Sequence, residues 1–236
     1  MKLAVLYDNP PAPEGYACGH GFSCLVDGWL LFDTGPDYAS LENNLQKSGA
    51  DAGLIKEVFI SHEHADHAGG LAGLLERGRI RRVHVPAGTG EELRRLISAR
   101  AELVEYVGPG PLGGNCFSTG AAAFEYKGRR LAEHSLVVRT GAGLALITGC
   151  AHTGVENTVR SVLETFPGER VGLIAGGFHL RDKTAEEIAA VAAALRAAGV
   201  FKVAPCHCTG AAAAEDLAGV YGKNFLKISP GFSGDF

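Results

Sequence analysis

Residues 62–67 read His62-Glu63-His64-Ala65-Asp66-His67, which puts three imidazoles and the Asp66 carboxylate within six positions. Imidazole and carboxylate are the donors that borderline divalent ions such as zinc prefer. His62 and His64 stand at i and i+2, so an extended or tightly turned backbone aims both at one ion. Asp66 and His67 follow one step later and are placed to face a second. As plain structure the cluster would be costly, because each buried imidazole and carboxylate needs a partner. More histidines arrive in a similar setting. The runs Ile147-Thr148-Gly149-Cys150-Ala151-His152, Ile174-Ala175-Gly176-Gly177-Phe178-His179 and Val203-Ala204-Pro205-Cys206-His207 each start apolar and end in histidine. Six of the nine histidines (His62, His64, His67, His152, His179 and His207) therefore lie at the ends of strand-like runs. In an α/β sheet, sites assemble at the carboxyl ends of strands.

Strands must deliver these ends. Apolar, β-branched runs predict strands at 2–7, 22–26, 29–32, 57–61, 82–85, 103–107, 135–139, 144–148, 171–175 and 201–204. Helical periodicity predicts helices at 38–48, 71–76, 91–101, 155–165, 184–198 and 211–221. Asp182 to Glu187 reads as a cap with an acidic first turn, and Gly199 as the stop. The hairpin-like stretches 23–35 and 135–149 echo one another. Each precedes a helix and then a strand ending in histidine, which predicts two related halves with sheets face to face and helices outside, four layers in all. The stretches 9–20 and 108–120, rich in glycine and proline, read as loops that shape a pocket.

Bulk properties narrow the function. The chain has 236 residues, 46% hydrophobic and 20% charged, ordinary values for a globular protein. A single domain over 1–236 is expected. The formal net charge of −4 argues against a sequence-independent grip on nucleic acid. No run is long and apolar enough for a membrane span, and the first residues lack the pattern of a secretion signal, so the expected location is cytoplasmic. The six cysteines are then expected to be reduced, with a Cys18–Cys24 disulfide as the lesser alternative.

Taken with Asp33-Thr34-Gly35 ahead of the cluster and isolated histidines after it, the pattern His62-x-His64-x-Asp66-His67 resembles the metallo-β-lactamase-fold hydrolase superfamily. Four further segments resemble one branch of it: Gly19-His20-Gly21-Phe22-Ser23, Gly149 to Asn157, Gly176-Gly177-Phe178-His179-Leu180 and Cys206-His207-Cys208-Thr209-Gly210. That branch holds an archaeal synthase of methanopterin biosynthesis and bacterial relatives. The resemblance implies a four-layer αββα sandwich with two mixed sheets and helices outside. It also implies two divalent ions, zinc first, with manganese, iron(II) or magnesium as alternatives. His62, His64 and His152 would hold one ion, and Asp66, His67 and His207 the other. His134 competes with His152 for the third place on the first ion but lies close against its strand. Where the superfamily carries a bridging aspartate, this chain has Cys150, which would bridge as a thiolate, stand by, or leave the bridge to water. Asp33 is expected to brace a ligand. Asp66 and His179 are the residues assigned to catalysis, and His20, His179, Arg181 and Asn157 to substrate contacts.

The expected chemistry is hydrolysis, or displacement at phosphate, by metal-activated water or a metal-held leaving group. Helix starts are predicted just after His67, His152 and His207, and helix N-termini favour anions. Arg181 and Lys183 would add positive charge. The expected partner is therefore a small anionic substrate, phosphorylated and pterin-related in the branch reading, with no nucleic acid and no membrane; homo-oligomers are compatible with the sequence. Two alternatives remain in other classes. A di-iron redox protein of the same fold would carry glutamate where His64 stands, and a metal-binding module would lack catalysis.

Overall fold

The computed structural model describes residues 1–77 and 79–236. One sheet contains β1 (Lys2–Tyr7), β2 (Ser23–Val26), β3 (Leu30–Phe32), β4 (Glu57–Phe59), β5 (Arg82–Pro86), β6 (Glu102–Tyr106) and the C-terminal β15 (Ser233–Asp235), in the order β15-β1-β2-β3-β4-β5-β6. Its first half is antiparallel, and β3 to β6 run parallel. The second sheet contains β7 (Gly110–Gly113), β8 (Cys116–Ser118), β11 (Leu136–Thr140), β12 (Gly143–Thr148), β13 (Val171–Gly177) and β14 (Lys202–Cys206), in the order β14-β13-β12-β11-β8-β7. Here β12, β13 and β14 run parallel. Between β8 and β11 in sequence, β9 (Ala122–Tyr126) and β10 (Arg129–Glu133) form a separate hairpin.

The predicted echo is visible in this topology. Hairpin β2–β3 leads through helix α1 (Tyr38–Ser48) to parallel β4. Hairpin β11–β12 leads through helix α5 (Val155–Thr165) to parallel β13. The remaining helices are α2 (Ala65–Ala68), α3 (Leu71–Glu76), α4 (Glu91–Ser98), α6 (Ala185–Ala197) and α7 (Ala211–Tyr221).

Alternating side chains divide the interior into three cores, hence four layers. Cys24, Val26, Leu30 and Phe32 meet Leu136, Val138, Ala145 and Ile147 between the sheets. Leu25, Leu31 and Val58 face the other way, onto Leu41, Leu45, Leu71 and Ile97 of α1, α3 and α4. Leu144, Leu146 and Ile174 pack on Val159, Ile188 and Leu217 of α5, α6 and α7. Each fully buried side chain of this kind contributes about 1.5–3 kcal/mol. Helix ends follow the local sequence. Asp37 caps α1 by accepting from the Ser40 N–H at 2.8 Å, and Gly49 closes it in the left-handed region. Thr184 and Glu187 form a reciprocal capping box on α6.

Two expectations need correction. Residues 108–120 are not simply a loop, because they contribute β7 and β8 to the edge of the second sheet. The 57–61 strand stops at Phe59, since Ser61 turns away to give its N–H to the Asp33 carboxylate. The helix predicted at 71–76 is α3, and a further short helix, α2, precedes it, starting inside the cluster at Ala65 with His64 in extended conformation as its cap. Gly69 follows because a Cβ there would strike the Pro36 carbonyl. All six cysteines are free, Cys18 and Cys24 included. Among the described residues no helix is long and apolar enough to cross a membrane.

Candidate metal centre

The carboxyl ends of β4, β12, β13 and β14 converge on one spot between the sheets. His62 Nε2 lies 3.0 Å from His64 Nδ1 and 3.4 Å from His152 Nε2. Beside this triad, His67 Nε2 lies 3.1 Å from His207 Nε2 and 3.5 Å from Asp66 Oδ2, and the His207–Asp66 separation is 3.4 Å. Cys150 Sγ sits between the two groups, 3.3 Å from His67 Nε2, with His62 also within ligand-sharing distance. His134 is elsewhere. It is buried against Phe59 and hydrogen-bonded to Ser118 and the Ile60 carbonyl, so it does not join the cluster.

The residues fit a cation. Burial, then the neighbouring imidazoles, holds the pKa of His62 well below the ordinary value. Burial lowers His64, and burial followed by His179 pushes His152 down to about 3. Lowered pKa values favour neutral rings, each of which has one nitrogen lone pair to offer. Metal ligation requires this protonation state. The buried His64 Nε2 and His207 Nδ1 have no hydrogen-bond partner within the chain. Burial opposes ionisation of Asp66, but the His207 hydrogen bond and the positive potential of His67 outweigh it and keep the carboxylate ionised.

Three buried carboxylates grip the ligand loops. Asp33 Oδ1 accepts from the Ser61 N–H at 2.7 Å, while Oδ2 faces Ser61 Oγ and His67 Nδ1, both at 2.7 Å. The His67 Nδ1 proton therefore points at Asp33, which leaves Nε2 free for an ion. Burial lowers the pKa of His67, but Asp33 and Asp66 more than offset it. With Ser61 donating to Asp33, the 2.9 Å contact between Ser61 Oγ and His62 Nδ1 takes its proton from His62, freeing His62 Nε2 as well. Thr34 completes the clamp, its N–H and hydroxyl both donating to the His67 carbonyl. Glu133 accepts from the N–H groups of His152 and Thr153, each at 2.9 Å. Asp8 accepts from the His207 N–H at 2.9 Å, and burial raises its pKa to about 6. Sequence reasoning missed Glu133 and Asp8, whose partners lie far along the chain.

Backbone strain collects at the same place. Asp33, Ala151, His179 and His207 all have positive φ, between 51 and 55°. A left-handed non-glycine residue costs on the order of 1–3 kcal/mol and persists where its surroundings enforce it. Gly149 is required for a related reason, because a Cβ there would strike the Ser61 hydroxyl beside Asp33.

A cavity of about 510 Å³ opens on the cluster, lined by His20, His64, Asp66, His152, His179, Arg181, Lys183 and Cys208. His20 Nε2 is 3.2 Å from Asp66 Oδ2. Asn157 is not brought into this cavity; its amide donates to Thr153 O at the start of α5. Two residues join that the sequence did not single out. Tyr126, from the β9–β10 hairpin, lies over His64 at 4.5 Å, and Phe124 of the same hairpin stacks on His152 at 4.1 Å. Cys208 lies with Cys150 and His207 in a third set of donor atoms. Burial opposes a Cys208 thiolate, but the Cys150 and His179 hydrogen bonds more than compensate and bring its pKa well down. The same hydrogen bond from Cys208 raises His179.

A sequence model of the beta-lactamase superfamily domain matches residues 28–207, a span that starts in the first hairpin and ends on His207. The chain belongs to this superfamily. The crystal structure of a metal-dependent hydrolase of the beta-lactamase superfamily superposes with a TM-score of 0.85 at 32% identity, covering 100% of this chain and 99% of that one. The sequence is also 25% identical to a 7,8-dihydropterin-6-methyl-4-(β-D-ribofuranosyl)-aminobenzene-5′-phosphate synthase of Methanocaldococcus jannaschii, over 90% of this chain and 88% of the synthase. A shorter match, 38% identity over 29% of this chain, is to a ribonuclease Z of Picrophilus torridus. The four-layer sandwich with two mixed sheets is the fold of this superfamily, as the sequence pattern implied. The superfamily is largely one of metal-dependent hydrolases, and the buried His/Cys/Asp groups supply candidate ligands for its metal.

Proposed function

We propose that the protein is a metal-dependent hydrolase or phosphate-displacing transferase acting on a small phosphorylated substrate. The observation that carries this reading is the pair of adjoining donor triads, His62/His64/His152 and Asp66/His67/His207, at the floor of a cavity rimmed by Arg181 and Lys183. Two divalent ions, zinc by preference for this nitrogen- and sulfur-rich set, would be held there, with Cys150 between them. Bound, they would supply Lewis acidity and a nucleophile at neutral pH.

The remaining roles belong to the chain itself. Arg181 and Lys183 bind the anionic group, and His20, exposed beside Asp66, contacts its outer oxygens. His179, its pKa raised chiefly by the hydrogen bond with Cys208, stands at the cavity wall, the position of a donor to a departing group. The β9–β10 hairpin keeps water from the back of His64 and His152 through Tyr126 and Phe124. The name of the archaeal synthase makes a pterin-linked substrate the first compound class to try. The net charge of −4 disfavours a nucleic-acid substrate.

The test is a panel of phosphomonoesters, phosphodiesters and diphosphates assayed with zinc-loaded protein, then after chelation. The reading predicts release of phosphate or diphosphate that chelator abolishes and added zinc restores. Turnover confined to neutral lactones or amides would overturn it.

A further inference from the structure

A larger cavity, about 990 Å³, lies beside the metal centre. It is bounded by the Asn9–Pro11 segment on one side and α7 on the other. The two cavities share His20 and Arg181, and His207 lines the larger one while its Nε2 faces the ligand cluster. A molecule whose anion sits against Arg181 therefore has a direct path into this space.

The walls specify what fits. Pro10, Pro11, Pro205, Phe225 and Ile228 make them largely apolar and rigid. α7 keeps the space open. It turns Ala213, Leu217 and Tyr221 into the core and presents Ala211, Ala214, Ala218 and the carboxylate-bearing Glu215 to the cavity. The volume matches pockets that enclose a small organic ligand. One polar feature stands out. The Asn9 side chain donates through Nδ2 to the His207 carbonyl at 2.9 Å, which fixes the amide, and its Oδ1 is buried with no partner. A buried acceptor left unpaired costs on the order of a lost hydrogen bond, so a ligand donor there would be favoured.

We propose that this cavity receives the organic body of the substrate, a flat and largely apolar ring carrying an N–H donor, joined to the phosphate that Arg181 and His20 face. The inference rests on the proposed function for the phosphate end and on the cavity alone for the ring end.

The experiment is calorimetric binding to zinc-loaded protein of 3-indolyl phosphate, 1-naphthyl phosphate and methyl phosphate, with neutral indole followed by ligand-detected NMR. Wild-type protein is expected to bind indolyl phosphate about tenfold or more tighter than methyl phosphate, with naphthyl phosphate between. Ala214→Trp and Ala218→Phe each push an aromatic ring from α7 into the cavity. Both are expected to erase that preference while leaving methyl phosphate affinity unchanged, with circular dichroism showing that α7 is intact. If no phosphate binds at all, the proposed function fails, and indole then decides the cavity separately. Indole bound by wild type and lost in both variants upholds the ring site. Equal binding of indolyl and methyl phosphate, a preference that survives both variants, or a failure of indole to bind where no phosphate binds, overturns it.

Discussion

Replacing Asp33 by asparagine tests how the fold prepares its ligands. Asp33 is fully buried and faces three donors at 2.7 Å: the Ser61 N–H, the Ser61 hydroxyl and the His67 ring. An amide has one acceptor and one donor, so either orientation sets its NH₂ against an N–H or O–H that now points at a carboxylate oxygen. One unsatisfied buried donor costs about 1–3 kcal/mol of stability. With the amide nitrogen toward His67, the ring gains by moving its proton to Nε2, and the nitrogen facing His207 is no longer a ligand. Loss of such a supporting partner lowers metal affinity by about 10–100-fold. The assay is competition for zinc against a chromophoric chelator at fixed pH, paired with thermal unfolding of the metal-free protein. Asp33→Asn is expected to remain folded, to melt lower and to release zinc at correspondingly weaker chelator. Zinc affinity within about threefold of wild type would refute the argument that Asp33 sets the His67 tautomer.

Other perturbations separate the remaining parts. Cys150→Ser is expected to weaken zinc binding while leaving manganese binding much less affected, since a hydroxyl replaces a soft donor; metal titrations of both proteins check this. Phe124→Ala removes the ring stacked on His152 and is expected to loosen the β9–β10 hairpin by at least about 1 kcal/mol, seen as faster amide exchange at 122–133 and weaker zinc retention. His134 lies outside the metal cluster, and its pKa is lowered to about 3 chiefly by burial. A depressed folded-state value gives stability that is fully present above the unfolded value near 6.5 and is lost as pH falls, by about 1.4 kcal/mol per unit. In metal-free protein, urea unfolding from pH 7 to 4 is expected to show a shallower loss for His134→Gln than for wild type. Parallel curves would contradict the burial of a neutral ring there.

The sequence made the ligands legible because their chemistry is local. His62 to His67 lie on one turn between β4 and α3, and the apolar runs before His152, His179 and His207 announce strands whose ends share a sheet edge. What holds those ends is non-local and left little trace. Asp8 meets the backbone of His207 across 199 residues, and Asp33 meets His67 across 34. Asp33 was visible only through its Asp-Thr-Gly turn, and Asp8 through nothing but its place at the end of β1. The β9–β10 hairpin did carry a signal. Lys127 and Gly128, both with positive φ, form its two-residue turn, and Phe124 and Leu131 are cross-strand partners on its buried face. The flanking Gly108–Gly120 stretch obscured it, because so many turn-forming residues read as loop when about half of the stretch belongs to strands β7 and β8. Cys208 stands in the Cys206-to-Gly210 motif, but its place beside the cluster depends on Gly177, which lacks a Cβ where the thiol lies.

The central claim is a two-ion centre built from these two triads around Cys150. Zinc-edge anomalous scattering from crystals of the zinc-loaded protein, with metal content measured on the same preparation, tests it most directly. Two ions per chain are expected, one among His62, His64 and His152 and one among Asp66, His67 and His207, with Cys150 Sγ in contact with at least one. No tightly bound ion, or peaks that lie away from both triads, would contradict it.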